Sequence, residues 1–334
     1  MSTGRDLKAL PKAHLHLHLE GGMRMSTLRE LAEVYAIPLP PVGSYTSFTE
    51  FASLYEAACA VMRTHDDLRR LMREAIEDAA DAGVVWFEPG MRPALHRGKF
   101  GGDADVLETL LDEAKRAGQQ LGVGVGALVT VDRTAPLAIA FEEAELAVEY
   151  SNAGVVSFGL ANDEVGHPPE PFAEPFAMAR EAGLLSCPHA GELEGPASII
   201  GALDALGADR IQHGIRCLED PALVERLVDA GTCLDVCPTS NACLKVVPSL
   251  DEHPLPRLLA AGVRCSLNAD DPLFFEAGLL DEYQLSRTRL GLSDEQLAGI
   301  ARTSIDASGA PAPLKASANA GIDAWLAAAP PAGR

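Results

Sequence analysis

Short apolar runs rich in β-branched residues recur along the chain, separated by longer Ala/Leu/Glu/Arg stretches whose apolar positions repeat at helical spacing. Eight of these runs read as strands, at 15–19, 84–88, 123–131, 155–160, 184–187, 210–214, 233–237 and 263–268. Amphipathic stretches alternate with them, at 26–36, 67–82, 105–120, 136–151, 172–182, 197–206, 221–230 and 256–261. Continuous apolar runs are what parallel strands need when helices cover their outer face. A strand and a helix repeated eight times predict an α/β fold, a (β/α)8 TIM barrel, in one domain spanning 1–334. Ala-Gly pairs at 82–83, 182–183, 230–231 and 261–262 stop helices directly before strands, as left-handed caps of short connections do. The competing open doubly wound sheet would place a glycine-rich dinucleotide loop after a strand, and none of these strands is followed by one. The one long excursion, 38–64, is a helical insertion after the first strand-helix unit and is expected to act as a lid. Further helices are expected at 279–290, 293–307 and 315–328, with a frayed tail at 329–334.

Composition narrows the function. A formal net charge of -21 with no basic stripe leaves nothing to release counterions from phosphates, so nucleic acid is excluded as a partner. No apolar run is long enough to span a membrane, and residues 1–9 carry no signal-peptide pattern. Cys59, Cys187, Cys217, Cys233, Cys237, Cys243 and Cys265 lie in scattered apolar contexts and read as reduced, buried thiols of a cytoplasmic protein. Nothing in the pattern selects an oligomeric state.

The polar residues at strand ends carry the chemistry. His16 and His18 sit two apart on the first expected strand, so both rings leave one face, and His14 shares it. His189 closes the fifth strand and His213 the sixth; Asp270 and Asp271 follow the eighth, which in a closed barrel neighbours the first. A zinc ion needs three or four nitrogen and oxygen ligands and an open position for water, and His16, His18, His189 and Asp270 supply that set for one Zn2+ per chain. His213 is left to orient the water and help receive its proton, and Glu192 is a candidate general acid. Phe48, Phe51, Leu54 and Tyr55 repeat at helical spacing in the excursion, as a core stripe or as the underside of a lid. His65, His96, His167 and His253 fall where an exposed histidine is the ordinary case. A cytidine-type zinc site is ruled out because no Pro-Cys-x-x-Cys exists.

Pro11 to Gly21, His189-Ala190-Gly191-Glu192, His213-Gly214 and Asn268-Ala269-Asp270-Asp271-Pro272 resemble, in order, the motifs of the adenosine deaminase family of metal-dependent hydrolases. The resemblance covers about 10–308. It implies zinc on His16, His18, His189 and Asp270, protonation of purine N1 by Glu192, a water oriented by His213, and Asp270 as proton acceptor. His18, Glu20, Asn162 and Asp271 would meet the substrate, Asp271 at N7. The implied partner is a small-molecule 6-aminopurine nucleoside, with adenosine converted to inosine and ammonia. Three positions depart from the pattern. His14 stands where many relatives carry an acid, Glu20 replaces the aspartate that meets the ribose, and Asn162 takes a glycine position whose backbone amide meets N3. Segments 236–241 and 250–254 also resemble aminodeoxyfutalosine deaminases. Aminodeoxyfutalosine and adenine are therefore alternative substrates, and a non-catalytic purine-binding barrel is the alternative of another class.

Overall fold

Parallel strands form the eight staves of a barrel in the computed structural model, which describes residues 4–39 and 48–329. The staves are β1 (Lys12–His14); β2 (Val84–Phe87) continued by β3 (Gly90–Met91); β4 (Gly124–Val125) by β5 (Ala127–Asp132); β6 (Val155–Ala161); β7 (Leu185–Ser186) by β8 (His189–Ala190); β9 (Arg210–His213); β10 (Cys233–Val236); and β11 (Arg264–Leu267). Each stave pairs in parallel with the next. Pro89 and Pro188 lie at two of the interruptions, where a residue without an N–H cannot donate to the ladder. The seam between last and first staves is closed by His18 N–H donating to the Asp270 carbonyl at 3.0 Å and Asp270 N–H to the His16 carbonyl at 3.1 Å. The expected barrel is thus the observed architecture.

The first stave departs from expectation in its range. Its ladder covers Lys12–His14, and pairing returns only as single bridges at Leu17 and His18. In between, the N–H groups of Leu15 and His16 both donate to Asn268 Oδ1, at 2.7 and 3.1 Å. Successive strand amides point to opposite sides, so two neighbours sharing one acceptor mark a break in the alternation. His14 consequently does not join the other imidazoles. Its ring packs 5.5 Å from Phe87, and its Nε2 accepts from Ala269 N–H at 3.2 Å.

The covering helices bury the faces their spacing marks. Helix His65–Asp81 hides Leu68, Leu71, Met72, Ala75, Ile76 and Ala79, and starts with a reciprocal Thr64–Asp67 capping box. Gly83, Gly183, Gly231 and Gly262 end helices with φ of +80, +85, +67 and +86°. Helix Phe48–Cys59 falls inside the expected lid and docks on the mouth: Phe51 stacks on Phe275 and meets Phe274 edge-on, both at 5.4 Å. Residues 40–47 of that excursion, and 330–334 of the expected frayed tail, lie outside the described residues. No helix among the described residues is long and apolar enough to cross a membrane.

Below the mouth the barrel is filled by a closed polar network. Arg210, fully buried, donates from Nε to Asp235 Oδ2 at 3.0 Å, from Nη2 to Glu88 Oε2 at 2.7 Å and from Nη1 to the Ala307 carbonyl at 3.0 Å. Glu88 Oε1 accepts from Trp86 Nε1 and Gly309 N–H, and Asp235 Oδ1 from the Ser266 hydroxyl. Lys12 sits lower still, its ammonium on the carbonyls of Leu7 and Ala82 and 5.4 Å from the Tyr283 ring centre.

Candidate active site

Four strand ends converge at the mouth. His189 Nε2 lies 3.1 Å from His16 Nε2 and 3.2 Å from His18 Nε2, and Asp270 Oδ1 lies 3.2 and 3.3 Å from the same two nitrogens. The second ring nitrogens explain why such a cluster needs a cation. His16 Nδ1 faces the Asp235 carbonyl at 3.2 Å and His189 Nδ1 the Leu160 carbonyl at 2.9 Å. A carbonyl only accepts, so each Nδ1 carries the proton and each Nε2 presents a bare lone pair. Lone pairs and a carboxylate oxygen aimed at one point repel unless a cation joins them, and three imidazoles with one carboxylate are a donor set that could hold a metal ion. Burial, reinforced by His16, His18 and His213, pushes His189 well below the usual histidine range, which keeps its ring neutral.

Ser240 and Glu164 support the cluster from behind. Asp270 Oδ2 accepts from the Ser240 hydroxyl at 2.6 Å. Burial alone would raise the Asp270 carboxyl; the imidazoles of His16, His18 and His213 outweigh it and hold the group well below the carboxylate range. Glu164 accepts from the N–H groups of Gly191, Glu192, Leu193 and Glu194 at 2.6–3.1 Å and from the Ser198 hydroxyl at 2.6 Å. One carboxylate therefore fixes the loop that carries Glu192. Asn162, His213 and Asp270, all at strand ends, have φ of +80, +65 and +59°. For residues with a side chain these are strained conformations, of the kind held at sites by the structure around them.

Two carboxyls in the cavity are set up as proton donors. Burial, then the negative charge of Asp270 and Glu164, pushes Glu192 well above the usual range; burial and Asp270 do the same to Asp271. Glu192 Oε1 and Asp271 Oδ1 have no hydrogen-bond partner in the protein. Glu192 Oε2 lies 3.5 Å from His213 Nε2. The cavity is lined by these groups, by His18 and Asn162, and on the lid side by Phe48, Phe51 and Tyr55.

Glu20 is placed differently from the resemblance's implication. It is 2% exposed, outside the cavity wall, with Oε1 accepting from His96 Nε2 at 2.8 Å and Oε2 from the Tyr55 hydroxyl at 2.9 Å. His96, expected exposed, is thus a buried partner, and His253 is buried as well; His65 and His167 are half-buried. Arg92, one residue past β3, lines the cavity and donates to Asp132 Oδ2 at 2.7 Å. Sequence reading missed it, although its place at a strand end was the available signal.

Residues 11–325 match the profile of the adenosine deaminase family. A Streptomyces coelicolor protein named "Putative adenosine/adenine deaminase" is 42% identical over 98% of this chain and 100% of its own. The aminodeoxyfutalosine deaminase of Streptomyces avermitilis is 35% identical over 98% and 95%. The crystal structure of the adenine deaminase from Arthrobacter aurescens superposes with a TM-score of 0.90 at 33% identity, over 96% of this chain and 100% of that one. With the four motifs gathered at one barrel mouth, the chain belongs to the adenosine deaminase family, hydrolytic deaminases acting on carbon-nitrogen bonds in cyclic amidines.

Proposed function

We propose that this protein is a zinc-dependent deaminase that replaces the exocyclic amine of a 6-aminopurine with oxygen, and that its first substrate is the free base adenine. His16, His18, His189 and Asp270 would hold the ion. Zinc bound there supplies hydroxide near neutral pH, by lowering the pKa of a water from about 15.7 to roughly 7. The rest is the work of the side chains. Glu192, protonated by its surroundings, donates to ring N1 and prevents negative charge from building on the purine. Asp271, also protonated, donates to N7, while His18 and Asn162 border the bound ring. His213 orients the attacking water at C6, Asp270 receives its proton, and ammonia leaves.

The observation that supports adenine is Glu20. The carboxylate that would meet a ribose has both oxygens engaged, by His96 and Tyr55, and lies outside the cavity wall. A nucleoside hydroxyl would have to displace a buried charge-assisted bond to reach it. Adenosine, or a 5′-substituted adenosine, is supported by one feature of the same cavity: Arg92 and Asn162, tied together through Asp132, are polar wall groups that a free base does not need. Seven unpaired cysteines, all buried but the half-buried Cys243, support a reducing, cytoplasmic setting.

The ultraviolet change on mixing zinc-loaded protein with adenine, adenosine and aminodeoxyfutalosine tests both levels. Adenine is expected to give the highest kcat/KM. A higher value for either nucleoside moves the specificity and keeps the chemistry; silence with all three returns the chain to a purine-binding role.

A further inference from the structure

Behind His213 runs a chain of hydrogen bonds whose sense is fixed from one end. The Leu255 N–H, which can only donate, lies 3.2 Å from His253 Nδ1. That nitrogen is therefore the acceptor, and neutral His253 carries its proton on Nε2. His253 Nε2 lies 3.2 Å from Asn241 Oδ1, which accepts that proton and so decides which way the Asn241 amide faces. The amide nitrogen then points at His213 Nδ1, 3.2 Å away, and donates to it. His253, Asn241 and His213 are 4, 0 and 1% exposed, so the chain has no solvent route by which to reverse. Burial also lowers His253 to about 4, which keeps its ring neutral near pH 7.

We propose that Asn241 and His253 are positioning residues that lock His213 in the Nε2–H tautomer, making it a hydrogen-bond donor into the cavity and not a base. The contrast with the metal-binding rings is internal to the molecule. His16 and His189 are backed by carbonyls and present a bare Nε2; His213 is backed by an amide N–H and presents a hydrogen. Its Nε2 lies 3.5 Å from Glu192 Oε2 and 3.8 Å from Asp270 Oδ2. With the imidazole unable to take a proton at that nitrogen, the proton released when water adds to C6 passes to Asp270. Of the two tasks first expected of His213, orientation remains and proton acceptance does not. The assignment deepens the deaminase reading and rests on it for what the N–H meets.

Histidine-ring ¹H–¹⁵N spectra of the labelled, zinc-stripped protein read the tautomer without turnover, His213 being assigned by its loss in His213→Asn. The expected pattern is a protonated, pyrrole-type Nε2 and an unprotonated Nδ1; the reverse pattern in the wild-type protein overturns the proposal. Asn241→Asp puts an acceptor-only carboxylate behind the ring. It is expected to move the proton to Nδ1 and to lower kcat by about 10²-fold or more, with KM little changed. An unmoved His213 spectrum in that variant overturns the Asn241 role. His253→Gln retains an N–H donor in place of Nε2 and should keep the wild-type pattern and recover most of the turnover that His253→Leu loses. Equal spectra from the two His253 variants remove His253 from the chain. Because the spectra need no substrate, a protein silent on every aminopurine would still show the tautomer, which separates failure of this inference from failure of the deaminase reading.

Discussion

Two buried polar clusters share the barrel, and they treat hydrogen-bonding capacity in opposite ways. Below the mouth, Arg210, Glu88, Asp235, Trp86 and Ser266 satisfy one another, with the backbone of Ala307 and Gly309 completing the set. At the mouth, Glu192 Oε1 and Asp271 Oδ1 find no partner within the protein, and the Nε2 atoms of His16, His18 and His189 crowd around Asp270 Oδ1. Buried polar groups are ordinarily paired, so capacity left unused at this depth marks where something else is to be held. The closed network holds the barrel together and the open one is left for chemistry. Composition does not separate them, since both are rich in charged residues; what differs is whether each donor faces an acceptor.

The largest effect should come from closing off one open valence. Glu192→Gln is expected to cut kcat by about 10²–10⁴ with circular dichroism and zinc content unchanged. Unchanged turnover would remove Glu192 from the mechanism. In the wild-type protein the same group gives an alkaline limb: its pKa is raised, it works protonated, and activity falls as pH rises through that value.

Opening the closed cluster should damage stability instead. Arg210→Met leaves Glu88 and Asp235 buried and uncompensated, and about 3–5 kcal/mol should be lost in chemical denaturation. A variant as stable as wild type would show that the two carboxylates are not held by this arginine.

Lys12 sharpens the comparison because its ammonium is held by two carbonyls and the Tyr283 ring, with no carboxylate bonded to it. Burial lowers its pKa from 10.5 to about 7, with Asp6 opposing. Between those values the unfolded chain binds more protons, so stability rises with pH across that window and is lost as pH falls toward 7. From pH 7 to 9 the wild type should gain about 2 kcal/mol relative to Lys12→Met. Parallel pH profiles for the two proteins would refute the shift. The smallest effect is expected from Tyr55→Phe, which frees Glu20 Oε2: about 1 kcal/mol in stability, with the adenosine-to-adenine ratio of kcat/KM rising. No change in that ratio would detach Glu20 from specificity.

The staves, and the meeting of His16, His18, His189 and Asp270 at one mouth, were legible because both follow from local pattern. Apolar runs mark parallel strands, and a polar residue at a strand's end reaches the mouth whatever the rest of the chain does. The first stave was misplaced because its irregularity is caused by Asn268, a side chain 252–253 residues away whose carbonyl takes two consecutive amides. His96 and His253 were misread for a related reason. Their burial depends on Glu20 and Asn241 being brought to them by the fold, and a histidine in a loop carries no sign of its partner. The task of Glu164 is visible only once the four amides of 191–194 are placed around it.

The seam between the first and last staves also has a meaning in time. His16 and His18 leave the ribosome more than two hundred residues ahead of Asp270, the carboxylate that completes their set. At about 5–20 residues per second that interval is on the order of ten seconds or longer. Throughout it the growing chain holds two histidines on a segment that can pair with the second stave alone, and no enclosed site. Metal capture is therefore a late event of synthesis: chains stopped before residue 264 should lose zinc on dialysis, and the released protein should retain it.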